Sequence, residues 1–244
     1  LPIGLFGVSI AAASLPTVSR HAAHEDLKGM RETISRALRL MLMLNVPATI
    51  GLIALGHPIV QLIFERGSFS SIDTVSTTAA LLFYAPGLVG YSAVRIAVPA
   101  FYALGNSLLP AYISMATVVL NIALNLVLVT LIGYQGLALG TSVAALANAL
   151  VLLIVLNRRL EGLNTKQIVT TGVKITIASL VMGAAATLTH SWLLLSWVSD
   201  NVLTRFGSIT ISIGVGLIVL VLTSRLLRLT ELDQAWQQLR SKLG

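Results

Sequence analysis

The 244-residue sequence contains no cysteine, which excludes disulfides, thiolate metal sites and thiol chemistry while leaving the compartment open. Charge is almost as scarce. Only 10% of the residues are Asp, Glu, Lys or Arg, against about 25% in a soluble domain. Catalytic signatures are missing as well: there is no P-loop, GxSxG or HExxH and no pair of catalytic carboxylates. The reading is therefore a non-enzyme, and any transport must draw on a gradient, the membrane potential or the substrate's own concentration difference. There is no initiator Met and no signal peptide, since Leu1-Pro2-Ile3-Gly4 opens directly into an apolar stretch. The expectation is the C-terminal part of a longer protein.

Apolar sequence fills the space that charge leaves. The hydrophobic fraction is 56% and the mean hydropathy +0.89, gathered into seven runs near 1–15, 40–64, 74–104, 108–132, 137–156, 168–197 and 207–224. Runs of this length cross a hydrocarbon core of about 30 Å, so the fold class is an all-α membrane protein of about seven transmembrane helices. The net charge of +7 does not point to nucleic acid, because the charges sit at the ends of the apolar runs. Arg20, Lys28, Arg31, Arg36, Arg39, Arg158, Arg159, Lys166, Lys174, Arg225, Arg228, Arg240 and Lys242 fall on one side, and only Arg66 and Arg205 on the other. That bias places the basic side in the cytoplasm, with the C-terminus inside. Trp192 and Trp197 close the sixth run at its outer end as interfacial anchors. Gly4, Gly7 and Ala11 let the first run pack closely on a neighbour.

Polar residues inside the runs are the candidates for function. Arg95 lies roughly ten residues, or about 15 Å, from the expected helix end at Gly105, near mid-depth. A guanidinium there costs about 2.5–3.5 kcal/mol on insertion scales, so it needs a buried partner or an anionic ligand in a watery cavity. Pro86-Gly87 and Pro99 break the same run, which is tolerated where neighbouring helices or water satisfy the freed backbone groups. Ser114, Thr117, Asn121 and Asn125 share one face of the fourth run; Thr141 and Asn148 share a face of the fifth. Such oxygens either bond across helices or coordinate a hard cation such as Na⁺.

The remaining features read more plainly. His21 and His24 beside Glu25 and Asp26 lack a third imidazole and read as solvated cytoplasmic surface. Leu27, Met30, Ile34 and Leu38 form an amphipathic lead-in to the second run. Glu65-Arg66-Gly67-Ser68-Phe69 is a tight outer turn, and Leu229, Leu232, Trp236, Leu239 and Leu243 space a short amphipathic helix for the inner surface.

Three blocks carry a resemblance. LPIGLFGVSIAAASLPTVSRHAA, PIVQLIFERGSFSSIDT and RIAVPAFYALGNSLLP occur in the order and with the separations of the MurJ/MviN lipid II flippases, members of the MOP exporter superfamily. The sequence closely resembles that family over roughly residues 1–160 and follows it by hydropathy beyond. The resemblance implies helices eight to twelve of a fourteen-helix flippase over 1–160. Two appended helices forming a lipid-tail groove would occupy 161–228, and a cytoplasmic amphipathic tail 229–244. It implies the bacterial cytoplasmic membrane, a role in peptidoglycan synthesis, and lipid II, membrane lipids and the protein's own N-terminal lobe as partners. Undecaprenyl-pyrophosphate carrying the peptidoglycan precursor would move to the outer leaflet by alternating access. Arg95 matches a basic position of the family's tenth helix and would contribute to substrate binding. Asn121, Asn125, Leu137 (through its carbonyl) and Thr141 match positions that ligate sodium in a sodium-binding member. Asn125 stands where that member has an aspartate, and the second aspartate, on helix seven, falls outside this chain. The alternative is a flippase for another lipid-linked oligosaccharide, or a drug exporter, of the same superfamily.

Overall fold

The structure, a computed structural model, describes residues 7–196 and 201–228. Eight α-helices occupy the described residues: α1 (Val8–Ala23), α2 (Leu27–Phe64), α3 (Ser71–Tyr84), α4 (Gly87–Ala103), α5 (Leu108–Ile132), α6 (Tyr134–Arg159), α7 (Thr165–Ser196) and α8 (Val202–Leu226). The chain is an all-α membrane protein. Five helices are long and apolar enough to cross a bilayer, or six when the bent pair α3 and α4 counts as one span. The seven apolar runs thus become eight helices because the third is broken between Tyr84 and Gly87, with a bend of 41°. The first run extends past its expected end at 15 to Ala23, through Pro16. The second does not begin near 40 with a separate lead-in. It is one 38-residue helix from Leu27, so Arg31, Arg36 and Arg39 are helical residues, not loop residues. Trp197 and the tail 229–244 lie outside the described residues.

Two compact units divide the chain. The first comprises 1–45 and 83–172, the second 46–82 and 173–244. The core of the first unit is built by Met30, Ile34, Leu38 and Met41 of α2, Ile96, Ala97, Ala100 and Phe101 of α4, and Leu152 and Leu156 of α6. Leu160, just past α6, completes it. The Leu27, Met30, Ile34, Leu38 stripe therefore buries into protein from Met30 onward. Small residues bring the helices into backbone contact. A Cβ on Gly90 of α4 would lie 2.7 Å from the Ala145 carbonyl of α6, and a Cβ on Gly7 2.9 Å from Ser92 Oγ. In the second unit, Gly216 of α8 packs on Met182 and Ala186 of α7. Lys174 Nζ donates to the Leu227 carbonyl at 2.9 Å, placing a cation on the negative end of α8.

Polar staples fix the basic end of the first unit. Arg31 donates through Nε and Nη2 to the Leu160 carbonyl at 3.1 and 2.7 Å, while Asn164 N–H donates to Ser35 Oγ at 3.3 Å. Asn157 Oδ1 accepts the Leu163 N–H at 2.6 Å and the Thr165 hydroxyl at 3.2 Å, closing the α6–α7 turn.

The break in the third run is satisfied from outside. Pro86 has no N–H for the Leu82 carbonyl. The next bond of a straight helix, from Gly87 N–H to the Phe83 carbonyl, is replaced by an inserted side chain. Gly87 N–H donates to Ser142 Oγ at 3.2 Å, and the Ser142 hydroxyl donates to the Phe83 carbonyl at 2.5 Å, with the Tyr84 carbonyl at 3.1 Å. The neighbouring α6 thus supplies partners to the Gly87 N–H and the Phe83 carbonyl at the break.

α5 and α6 form the tightest pair. Gly133, with φ of +66°, makes the whole connection between them. Gly136 and Gly140 then face α5, and a Cβ on either would press into the Leu128 carbonyl or into Asn125 Oδ1. This is close small-xxx-small packing. Gly136→Ala is expected to destabilise the protein by about 1–3 kcal/mol through overpacking. Thermal unfolding in detergent checks this, with the same change at Gly214, which meets nothing within 4 Å, shifting the midpoint far less.

Candidate functional site

Arg95 projects from the exposed face of α4, one turn beyond Tyr91, whose relative exposure is 42%. Ile96, Ala97 and Ala100 on the opposite face are buried. Packing on α6 therefore decides which face carries the guanidinium. Pro99, four residues on, removes the N–H that would have bonded the Arg95 carbonyl. No hydrogen bond or ion pair ties the Arg95 side chain to another described residue. A guanidinium and a freed carbonyl at one level of a membrane helix demand water, a partner or an anion.

The polar stripe of α5 and the stripe of α6 meet, and the four proposed ligating groups come together. Asn125 Nδ2 donates to Asn121 Oδ1 at 3.2 Å, Asn121 Nδ2 to Thr141 Oγ1 at 3.5 Å, and Thr141 Oγ1 to the Leu137 carbonyl at 2.8 Å. The cross-helix contact thus runs from Asn121 to Thr141. Asn125 Oδ1 and Asn148 Oδ1 are buried without a hydrogen-bond partner. An orphaned buried oxygen is costly, and a neutral oxygen-only set of this kind suits a hard monovalent cation or a water. Thr117 turns its hydroxyl back to the Ile113 carbonyl at 2.8 Å and takes no part.

A second buried polar bridge, Asn45 with Ser92, escaped the sequence reading. Both are fully buried; Ser92 Oγ donates to Asn45 Oδ1 at 3.1 Å, and Asn45 Nδ2 to the Met41 carbonyl at 3.1 Å. Ser142 escaped it too. No polar stripe marked them: Ser142 sits beside Thr141 but one position off the face that Thr141 shares with Asn148.

At the ends of the helices the polar groups serve turns. Gly67, with φ of +61°, turns the chain between α2 and α3. Glu65 accepts from Thr74 Oγ1 at 2.7 Å and from Gln61 Nε2 at 3.2 Å, which hold its carboxyl below the usual carboxylate range. An open depression of about 520 Å³ lies beside this turn, lined by Arg66, Ser68, Phe69, Asp73, Ser76 and Thr77. His21 Nδ1 contacts Asp26 Oδ2 at 2.9 Å, and His24 Nδ1 the Arg20 carbonyl at 2.8 Å. Among the described residues, no three or more His, Cys, Asp or Glu side chains are grouped to hold a metal.

Residues 1–206 match the family model described as lipid II flippase MurJ. The chain belongs to the MurJ family. A probable lipid II flippase MurJ from Vibrio cholerae is 31% identical over 241 residues, covering 96% of this chain and 45% of that protein. One from Rickettsia prowazekii is 35% identical over 147 residues, covering 60% and 29%. A solved structure of lipid II flippase MurJ in an inward closed conformation superposes with a TM-score of 0.68 at 28% identity, covering 92% of this chain and 44% of that one. The chain thus spans less than half the length of these MurJ relatives. MurJ membership makes it part of a family of multi-pass membrane transporters of bacteria, and the apolar helices agree.

The α1–α2 turn is expected to respond to pH through Asp26. Asp26 Oδ1 accepts the Gly29 N–H at 2.9 Å; this bond first, then the His21 contact, lowers its pKa from the ordinary 3.8. A carboxylate depressed by folding stabilises above its unfolded pKa and loses that contribution as pH falls through the folded value. The Gly29 amide resonance is expected to move upfield only below about pH 3.8, and the transition is absent from Asp26→Asn.

Proposed function

We propose that this chain is the C-terminal part of a lipid II flippase, and that Arg95 draws the substrate's pyrophosphate into a polar cavity. Arg95 carries this reading: it is a cation without a partner among the described residues, on the exposed face of a proline-broken membrane helix in a chain of this family. In this reading residues 1–160 are helices eight to twelve, and 161–228 are two added helices beside which the lipid tail runs. The preponderance of Lys and Arg on the side that holds the C-terminus favours its cytoplasmic placement. The first lobe of the same protein completes the cavity.

The mechanism follows from charge. A pyrophosphate in water is attracted by an unneutralised guanidinium, which pairs with phosphate oxygens through its fork of donors. With the interior negative, outward movement of each substrate charge is favoured by about 2.3 kcal/mol per 100 mV fully crossed. Alternating access then needs no ATP. A sodium ion, if used, would be held by Asn121, Asn125, the Leu137 carbonyl and Thr141, where the orphaned Asn125 Oδ1 supports the assignment. Neutral oxygens alone bind it more weakly than a carboxylate would.

Two experiments on the full-length protein test the reading. In cells depleted of their own lipid II flippase, the wild type is expected to restore lipid II exposure outside. Arg95→Ala, at equal expression, is expected not to. Rescue by both would remove Arg95 from the substrate path, and no rescue by a well-expressed wild type would overturn lipid II as the substrate. Asn125→Asp is expected to raise sodium affinity about tenfold, the effect of roughly 1.4 kcal/mol of added Coulomb attraction, read as a sodium-dependent thermal shift. An unchanged shift would dismiss the cation site.

A further inference from the structure

We infer that Ser142 is a positioning residue, whose hydroxyl holds the third run bent and so sets the direction of the helix that carries Arg95. The inference rests on the reading of Arg95 as a pyrophosphate contact, but its structural half stands alone. In a straight helix Gly87 N–H would bond the Phe83 carbonyl directly. Here Ser142 Oγ stands in that bond, accepting from one and donating to the other. Leu88 N–H has moved to the Ala85 carbonyl at 3.1 Å, and Val89 N–H to the Pro86 carbonyl at 3.3 Å, one residue short of the helical partner. The Tyr84 carbonyl, which Leu88 would have bonded, lies 3.1 Å from Ser142 Oγ. One hydroxyl thus occupies the gap that two helical bonds have vacated.

Proline does not account for this alone. Pro86 abolishes only the bond to the Leu82 carbonyl. The next bond is intact in covalent terms, with both its donor and its acceptor present. It is open because a side chain from α6 has entered it, the recognised cause of kinks other than proline itself. The geometry also keeps the hydroxyl there. A Cβ on Gly87 would lie 2.7 Å from Ser142 Oγ and 2.9 Å from Ser142 Cα, so only glycine at 87 allows the approach. Ser142 itself is 2% exposed, so water does not compete for the three backbone groups. Arg95 follows Gly87 by two turns, and any change in the direction of α4 carries the guanidinium with it.

The test uses full-length protein with cysteines only in place of Ile72 and Tyr102, exposed positions near the two ends of the broken run. Spin labels there report the bend. At about 1.5 Å per residue the two positions are roughly 42 Å apart with the run bent by 41° and roughly 45 Å apart with it straight. Ser142→Ala is expected to lengthen the label distance by about 3 Å, because Gly87 N–H regains the Phe83 carbonyl, and to lower lipid II flipping at least threefold. Gly87→Ala expels the hydroxyl from the other side and is expected to move the distance the same way. The double variant should add nothing further, since both remove one interaction. A label distance unchanged by Ser142→Ala overturns the inference. So does a lengthened distance with undiminished flipping, which would make the bend irrelevant to Arg95. If the wild type itself does not flip lipid II, the substrate reading falls, and the label distance still decides whether Ser142 holds the bend.

Discussion

Inside hydrocarbon a backbone amide or carbonyl without a partner costs several kcal/mol, and the rest of this structure depends on how that demand is met. Continuous helices meet it for most of the chain. Where sequence breaks the ladder, side chains of a neighbouring helix complete it: Ser142 at the Phe83–Gly87 gap, and Arg31 at the Leu160 carbonyl past the end of α6. The small residues Gly87, Gly90, Gly136 and Gly140 matter for the same reason. They bring backbones close enough for short side chains such as those of Ser and Asn to reach across. Close packing and backbone satisfaction are one device here.

The polar chemistry of the first unit divides between two faces with different physics. The Arg95 face holds a full charge with no described partner, so it gains from an anion or from water. The α5–α6 seam holds no formal charge, and its amides and hydroxyls largely satisfy one another, leaving two orphaned carbonyl oxygens. The first is suited to water or an anion. The second is suited to holding two helices together.

Much of this was legible in the sequence, for reasons that can be named. Hydropathy marked the runs because the bilayer sets their length. Seven-residue and four-residue spacings placed Asn121, Asn125 and Thr141 on facing stripes, and the structure brings them together. The Pro86-Gly87 break was visible as a break. What supplied it was not, because Ser142 lies 55 residues away and a single serine in an apolar run carries no periodic signal. The start of α2 was misplaced because its first turns are polar on one face and buried on the other: Met30 and Ile34 enter the core while Arg31 and Ser35 reach the α6–α7 turn. Hydropathy averages those faces away. The match to the MurJ family supplied what neither periodicity nor charge contains, the identity of the cargo handled by its relatives.

Thr141 and Ser142 are neighbours in sequence, and about 100° of helical rotation separates them. One is seated in α5 through Asn121 and the other in the break of the third run. α6 is therefore a spindle gripped from two sides at one level. A turn about its own axis that loosens one grip shifts the other, and by the reciprocity of linked equilibria each seat acts on the other by the same free energy.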